Sequence, residues 1–203
     1  MSSDAGSTAG KLLVISGPSG TGKTSICNAL LRRIDNAMWS VSATTRPPRG
    51  GESGGSSYEF ISDEEFDRRR KGGEFLETAE YCGHQYGTPA GPVRRWMSEG
   101  KLVVMEIDVQ GGMQVARSVP ESIRVFVLPP DAESLRARLA GRRTESEEHM
   151  QRRLAAADGE IATARDSGLY PYFVTNDDLD ETVDRIISIV KHHGVVAGQA
   201  REG

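Results

Sequence analysis

The sequence has no long apolar run, little net charge and few cysteines, and each of these absences excludes a class of protein. A membrane-spanning helix needs about 20 consecutive apolar residues, so we expect neither a membrane protein nor a membrane partner. A net charge of −4 over 203 residues gives no overall field that would attract nucleic acid. Residues 1–10 are small and polar and lack the apolar core of a signal peptide. We therefore expect a disordered leader at 1–10 and a cytoplasmic protein.

The two cysteines are predicted to be a core residue and a turn residue. Cys27 shares one face of a helical pattern with Leu30 and Ile34, which favours burial. Cys82 lies two residues before His84, but zinc needs three or four protein ligands and no others are close in sequence. The cysteines therefore do not predict a metal site.

One glycine-rich stretch has the spacing G-x-x-x-x-G-K-[ST], which is typical of nucleoside triphosphate binding. It follows an apolar strand at 11–16, opens a helical pattern that runs to Ile34, and comprises Gly17, Pro18, Ser19, Gly20, Thr21, Gly22, Lys23 and Thr24. Glycines let successive N–H groups turn toward one concavity, and the helix adds the positive end of its dipole. We expect Lys23 to reach the outer phosphates and the Thr24 hydroxyl to ligate Mg²⁺. The stretch therefore predicts a phosphate-binding loop.

Apolar runs and helical patterns alternate along the chain, which predicts an α/β fold with a parallel five-stranded sheet in a three-layer core. The strands are expected at 11–16, 38–43, 102–107, 123–128 and 172–175. The helices are expected at 24–34, 62–71, 90–99, 131–140, 144–168 and from 178 onward, with capping boxes at Ser62–Glu65 and Thr144–Glu147. Residues 44–88 are rich in proline, glycine and short strand patterns, with a hairpin around Gly83, and are predicted to form a small β-rich insertion.

Three pairs of arginines lie outside the predicted sheet strands and indicate which reaction the loop serves. They are Arg46 and Arg49, Arg142 and Arg143, and Arg152 and Arg153. Arginine binds phosphate oxygens in bidentate geometry, and phosphoryl transfer between two phosphates needs many such donors and little else. An acceptor phosphate with a second pKa near ~6 is already nucleophilic at neutral pH, so no general base is required. The sequence also lacks the Asn-Lys-x-Asp motif of a GTPase. For Arg152 and Arg153 taken alone, a solvated helix face is the favoured interpretation.

Several motifs in order give the chain a close similarity to one family. These motifs are Ser16–Thr24, Val41–Arg49, Glu74–Glu77, Tyr86–Thr88, Glu106–Gly111, Gly141–Glu145, Arg152–Leu154 and Asn176–Asp180. Through them the chain resembles, from Leu12 to about Lys191, the guanylate kinases, which transfer phosphate from ATP to GMP. The sequence departs from the family pattern at Arg143, where many relatives have glycine, so either Arg142 or Arg143 is left to face the phosphates.

The resemblance implies a P-loop core, a nucleotide-binding insertion and a lid. The regions are the core at 11–43, 89–130 and 169–197, a GMP-binding insertion at 44–88, a helical lid at 131–168 and a tail at 198–203. The implied substrates are ATP, with Mg²⁺, and GMP or dGMP. The residues implied to hold the GMP phosphate are Arg46, Arg49, Tyr58 and Tyr86. Those implied to read guanine or lie beside it are Ser42, Glu77, Thr88 and Asp108. The implied catalytic residues are Lys23, Arg49, Arg142 and Arg153, and Asn176 and Asp177 are expected by the adenine of ATP.

The chemistry of guanine favours the same base-reading residues. Guanine presents N1–H and its N2 amine as adjacent donors, and the Glu77 carboxylate can accept from both. Two other functions are kept open: a partner-binding domain that has lost ATP chemistry, and a kinase for another nucleoside monophosphate. The intact Lys23, Arg49, Arg142 and Arg153 argue against the first, and the guanine-reading set argues against the second.

Overall fold

The structure is a computed structural model that describes residues 9–49, 58–140 and 147–195. Strands and helices alternate through these ranges. The strands are β1 (Lys11–Ser16), β2 (Ala37–Trp39), β3 (Ser42–Thr44), β4 (Tyr58–Phe60), β5 (Phe75–Tyr81), β6 (His84–Pro89), β7 (Leu102–Glu106), β8 (Ile123–Leu128) and β9 (Tyr172–Thr175). The helices are α1 (Lys23–Arg33), α2 (Asp63–Lys71), α3 (Ala90–Ser98), α4 (Val109–Ser118), α5 (Ala132–Ala140), α6 (Glu147–Ser167) and α7 (Leu179–His192).

The larger sheet has five strands in the order β2-β7-β1-β8-β9, and every neighbouring pair is parallel. This confirms the predicted five-stranded parallel sheet. Strand β1, which leads into the glycine-rich loop, lies in the middle, where Lys11 pairs with Leu102 and Leu13 pairs with Ile123. Since the strands are parallel, their carboxyl ends meet at one edge, and loops there are the usual place for a ligand site.

Helices cover both faces of this sheet, so the core has three layers. Alternate residues of β1 point to opposite sides: Leu13 and Ile15 belong to one apolar cluster, and Leu12 and Val14 to another. The first cluster is closed by α1 and α7, and the second by α3 and α4. Cys27 on α1 is fully buried in the first cluster, as predicted.

A smaller sheet of four strands, in the order β4-β3-β6-β5, stands beside the core. Strands β5 and β6 form the predicted hairpin, and its turn residues Cys82 and Gly83 have φ angles of 51° and 74°. Positive values at both turn residues are typical of the tight hairpin turns that match strand twist. Strands β4, β5 and β6 lie close to the range predicted to form a β-rich insertion, 44–88, but β3 begins two residues before it, at Ser42.

The single strand predicted at 38–43 is wrong, because the chain changes sheets within it. Strand β2 pairs with β7 in the large sheet, and the Ser40 N–H donates the last bond, to the Val104 carbonyl oxygen at 2.9 Å. Strand β3 then pairs with β6 and β4 in the small sheet. Hydrophobic alternation marks extended chain but does not say which partner each half of the segment finds.

Helix ends follow the capping signals of the sequence where the structure describes them. The Glu65 N–H donates to the Ser62 hydroxyl at the start of α2, and the Glu181 N–H donates to the Asp178 carboxylate at the start of α7. The capping box predicted at Thr144 lies outside the described residues, as does the tail at 198–203. Among the described residues, no helix combines the length and apolar character that spanning a bilayer requires.

Candidate active site

The glycine-rich loop joins β1 to α1 at the carboxyl edge of the sheet and has the backbone conformation that only glycine adopts easily. Gly20 and Gly22 have φ angles of 88° and 87°. A Cβ on Gly17 would lie 2.4 Å from the Val127 carbonyl oxygen, so the loop also needs glycine where it passes β8. The loop therefore curls tightly at the N-terminus of α1, which is the arrangement that binds anions.

Lys23 is folded back on this loop. Its ammonium group donates hydrogen bonds to the carbonyl oxygens of Gly17 and Pro18, at 2.6 and 2.9 Å. Burial lowers the pKa of Lys23, while the nearby carboxylates of Glu106 and Glu160 oppose that shift. The side chain is thus a partly desolvated cation held at the centre of the loop, where a polyphosphate would meet it.

Thr24, the next residue, places its hydroxyl beside an acidic residue at the end of β7. The Thr24 hydroxyl donates to the Glu106 carboxylate at 3.0 Å. Hydroxyl and carboxylate oxygens are the ligand types that Mg²⁺ prefers. Across residues 9–49, 58–140 and 147–195, no group of three or more His, Cys, Asp and Glu side chains is arranged to hold a metal by itself.

A cleft of about 420 Å³ opens between the loop edge of the large sheet and the small sheet. Seven of the predicted site residues line it: Ser42, Arg46, Arg49, Tyr58, Glu77, Tyr86 and Asp108. The other lining residues are Ala79, Tyr81, Glu106 and Ile107. Residues predicted from separate motifs are therefore brought to one cavity.

Glu77 is an acidic side chain buried in the wall of this cleft, with 6% of its surface exposed. It accepts a hydrogen bond of 2.7 Å from the Thr88 hydroxyl, and the Ser42 hydroxyl lies 3.4 Å from that of Thr88. Burial raises the pKa of Glu77 to about 7, the Thr88 hydrogen bond opposes the shift, and nearby Asp108 adds to it. Gly111 makes room for the carboxylate, since a Cβ there would lie 3.1 Å from Glu77 Oε2. A desolvated carboxylate is a strong acceptor for paired N–H donors.

Arg46 and Arg49 enter the cleft from the small sheet and differ in burial. Arg46 is 8% exposed and lies over the rings of Tyr58 and Phe60, with centroid distances of 5.5 and 5.7 Å. Tyr58 in turn packs edge-on against Tyr86, at 5.9 Å between ring centroids. Arg49 is exposed at the mouth of the cleft. The aromatic packing holds the Arg46 guanidinium in place inside the cleft.

Two adjacent arginines on α6 point in different directions. Arg153 donates to the hydroxyl of Ser19 in the glycine-rich loop at 2.9 Å. Arg152 instead pairs with Glu148 one turn earlier, on an exposed face. The solvated-face interpretation therefore holds for Arg152 but not for Arg153, and helix α6 reaches across to the loop. Arg142 and Arg143 lie outside the described residues.

Asn176 and Asp177 follow β9 and differ in burial. The Asn176 side-chain amide donates to the Thr21 carbonyl oxygen at 2.7 Å, and a Cβ on Gly22 would lie 2.5 Å from its nitrogen. Asn176 is thus buried against the loop, while Asp177 is exposed. Their expected position by adenine stays a prediction.

The guanylate kinase family model matches residues 9–193, almost the whole chain. This chain belongs to the guanylate kinase family.

Relatives and a solved structure agree with this family. The chain is 46% identical over 189 residues to the guanylate kinase of Rubrobacter xylanophilus, covering 93% of this chain and 96% of that one. It is 42% identical over 190 residues to the guanylate kinase of Synechocystis, covering 94% and 98%. The crystal structure of guanylate kinase from Anaplasma phagocytophilum superposes with a TM-score of 0.73 at 31% identity, covering 96% of this chain and 92% of that one.

Two residues of this guanylate kinase site were not found from the sequence. Glu160 is half-buried on α6, and burial raises its pKa while nearby Lys23 opposes the shift. Its spacing of seven residues from Arg153 places both on one helix face, which is the signal that was available. Tyr81, 70% exposed at the hairpin tip, also lines the cleft. An isolated aromatic in a hairpin gave no sequence signal for such a position.

Proposed function

We propose that this chain transfers the γ-phosphoryl group of ATP to GMP, giving ADP and GDP. The observation that carries this function is the position of the Glu77 cleft at the same sheet edge as the glycine-rich loop. A triphosphate on the loop and a nucleotide in the cleft would meet there. The match of residues 9–193 to the guanylate kinase family supports the assignment of the acceptor as GMP.

In the proposed acceptor complex, Glu77 accepts hydrogen bonds from guanine N1–H and the N2 amine. Thr88 has one hydroxyl hydrogen and directs it to Glu77, which leaves the Ser42 hydroxyl as the donor to guanine O6. Arg46 and Arg49 bind the GMP phosphate, with Tyr58 and Tyr86 beside them. Deoxyribose is accepted as well as ribose, because these contacts are with the base and the phosphate.

In the proposed donor complex, the loop N–H groups and Lys23 bind the ATP phosphates. The Thr24 hydroxyl, with Glu106 beside it, fits a hard oxygen-liganded cation, and Mg²⁺ bound there would neutralise phosphate charge. The bond from Pγ to its bridging oxygen breaks with its electron pair left on ADP, while a GMP phosphate oxygen forms the new bond. Arg153 and Arg142 supply positive charge to the transferring group from the lid at 131–168.

The function is tested by measuring GDP formation from ATP and GMP between about pH 6 and pH 8, in wild type and in Glu77→Gln. Because burial places the Glu77 pKa at about 7, raising the pH converts a proton-bearing carboxyl into the ionised acceptor that guanine needs. We expect kcat/KM for GMP to rise about tenfold across this range, with a further contribution of about twofold from the GMP phosphate, whose pKa is near ~6.

Glu77→Gln keeps an oxygen acceptor but cannot ionise, so its kcat/KM should be lower and should rise only about twofold with the phosphate. Calorimetric GMP affinities at the same pH values report binding separately from turnover. Absence of GDP formation in wild type would contradict the function. Equal pH dependence in the two proteins would instead contradict the role of Glu77.

Removal of the lid arginine should affect turnover and spare acceptor binding. Arg153 contacts Ser19 of the donor loop, while GMP is held by the cleft on the other side. We expect Arg153→Ala to lower kcat at saturating ATP and GMP by about 100-fold or more, given the usual contribution of an arginine at the transferring phosphoryl group. Calorimetric GMP affinity should stay within about twofold of wild type.

Arg152→Ala is the matched control, because the neighbouring guanidinium pairs with Glu148 on the exposed face. Its kcat should match that of wild type, since exposed ion pairs contribute little. Weaker GMP binding with unchanged kcat in Arg153→Ala would place Arg153 in the acceptor site and contradict the lid assignment.

A further inference from the structure

Tyr170 places a buried phenol where three segments of the site meet. It lies between the end of α6 and the start of β9 and is 4% exposed. Its hydroxyl lies 3.0 Å from Ser16 Oγ and 3.3 Å from the Val109 carbonyl oxygen, and donates toward both. The Ser16 hydroxyl passes a hydrogen bond on to the Asp108 carbonyl oxygen at 3.3 Å.

Helix α4 leaves space for the Tyr170 hydroxyl by having a glycine, Gly112, in its interior. A Cβ on Gly112, inside that helix, would lie 1.8 Å from Tyr170 Oη and 3.0 Å from Ser16 Oγ. Glycine weakens a helix interior relative to alanine, yet any side chain at this position would displace the phenol. The Tyr170 ring is fixed from its other side by edge-on packing against Phe126, at 5.3 Å and 76°. Burial raises the pKa of Tyr170 to about 12, so the hydroxyl stays a donor at neutral pH.

The segments joined by Tyr170 carry opposite halves of the reaction. Ser16 precedes Gly17, whose carbonyl oxygen accepts from Lys23, and so forms the base of the donor loop. Asp108 lines the acceptor cleft and caps α4, where it accepts from the Gly111 N–H at 2.7 Å. The paired register of β1 and β7 ends at Ile15 and Glu106, after which one chain enters the donor loop and the other lines the acceptor cleft. The hydrogen bonds of Tyr170 form a brace beyond the paired part of the two strands, and this brace sets the distance between the donor loop and the acceptor cleft.

We propose, resting on the function proposed above, that Tyr170 is a positioning residue that fixes the distance between the donor loop and the acceptor cleft. In-line phosphoryl transfer depends on this distance, because a misplacement of about 1 Å can lower a rate by about 100-fold. Tyr170 also follows Gly168, which ends α6 with a φ of 63°, so the brace is anchored where the lid returns to the core. Water is smaller than GMP and needs no fixed spacing, so loss of the brace should favour hydrolysis of ATP over transfer.

The test compares Tyr170→Phe with Tyr172→Phe. Both changes delete one tyrosine hydroxyl near the start of β9, but the Tyr172 hydroxyl bonds His193 Nε2 at 2.8 Å, away from the cleft. For each variant, kcat, both KM values, the melting temperature and the ratio of phosphate release to GDP formation are measured. Tyr170→Phe should lower kcat about tenfold or more, leave both KM values within about twofold, and raise the hydrolysis ratio. Tyr172→Phe should leave all four kinetic values at wild-type levels.

A Tyr170→Phe protein with wild-type kcat and hydrolysis ratio, whatever its melting temperature, would overturn the proposal. So would equal kinetic losses in the two variants, which would indicate a structural role. If Tyr170→Phe does not fold, Ser16→Ala breaks the same relay from its other end and should give the same loss of kcat and gain in hydrolysis. Failure of the wild-type protein to form GDP would reject the proposed function itself, an outcome separate from a wild-type-like Tyr170→Phe.

Discussion

GMP should be phosphorylated with a kcat/KM at least about 10⁴-fold above that of AMP, because sites that hydrogen-bond a polar group reject analogues that lack it. Glu77 is buried and already accepts a hydrogen bond from the Thr88 hydroxyl. At about pH 8, above its pKa of about 7, Glu77 is ionised, so AMP would place the adenine N1 lone pair against a carboxylate and leave a buried acceptor without its donors. The measurement is a coupled assay with ATP, Mg²⁺ and each of GMP, dGMP, IMP, AMP, CMP and UMP.

IMP and dGMP test which contacts with the acceptor nucleotide matter. IMP keeps N1–H but lacks the N2 amine, so it should fall between GMP and AMP. The nucleotide dGMP should approach GMP, since the proposed contacts are with base and phosphate. Turnover of AMP within tenfold of GMP would contradict the assignment of Glu77 as the base-reading residue.

Lys23→Met should lower turnover by at least about a thousandfold while the protein stays folded. The Lys23 ammonium is held at the loop by two carbonyl oxygens and is the cation that the ATP phosphates would meet first. Methionine has similar length but no charge, so it removes stabilisation of the transferring phosphates, a contribution of several kcal/mol in such sites. The apolar core does not include this side chain, so the melting temperature should change little.

Lys11→Met is the matched control for this prediction. Lys11 begins β1, the strand that ends at the loop, and the same substitution there lies at the far end of the strand from the phosphates. Turnover of Lys11→Met should equal that of wild type. Wild-type turnover in Lys23→Met would show that phosphoryl transfer does not need the ammonium group. A large loss of turnover in both proteins would show that the substitution acts through structure.

The sequence predicted the larger sheet because its signals are local. Each central strand is an apolar run that needs cover on both faces, and the glycine spacing of the loop is itself a backbone requirement. Helix α4 was harder to predict from the sequence, because its glycines at 111 and 112 weaken the helical signal. The structure explains both, since one makes room for Glu77 and the other for Tyr170.

Residues of the site were predictable where a motif surrounds them and not where tertiary contact defines them. Glu77, Thr88 and Arg46 belong to motifs, and the structure brings all three to the cleft region. The difference between Arg152 and Arg153 depends on how α6 crosses the loop, which adjacent positions in a sequence do not reveal. Likewise, the hydroxyl of Tyr170 acquires its partners only when Ser16 and Val109 meet.

The central position of β1 has a consequence for how the chain folds during synthesis. Its neighbours in the sheet, β7 and β8, are synthesised roughly 90 and 110 residues later, since Lys11 pairs with Leu102 and Leu13 with Ile123. At about 5–20 residues per second, ribosomes need roughly 5–20 s to supply them. During that interval β1, whose side chains are apolar on both faces of the sheet, has no partner strand. Pairing it then requires closing a long loop of chain, which is entropically slow. The strand that leads into the phosphate-binding loop thus leaves the ribosome about 90 residues before its first sheet partner, and we expect this part of the nascent chain to need protection from aggregation.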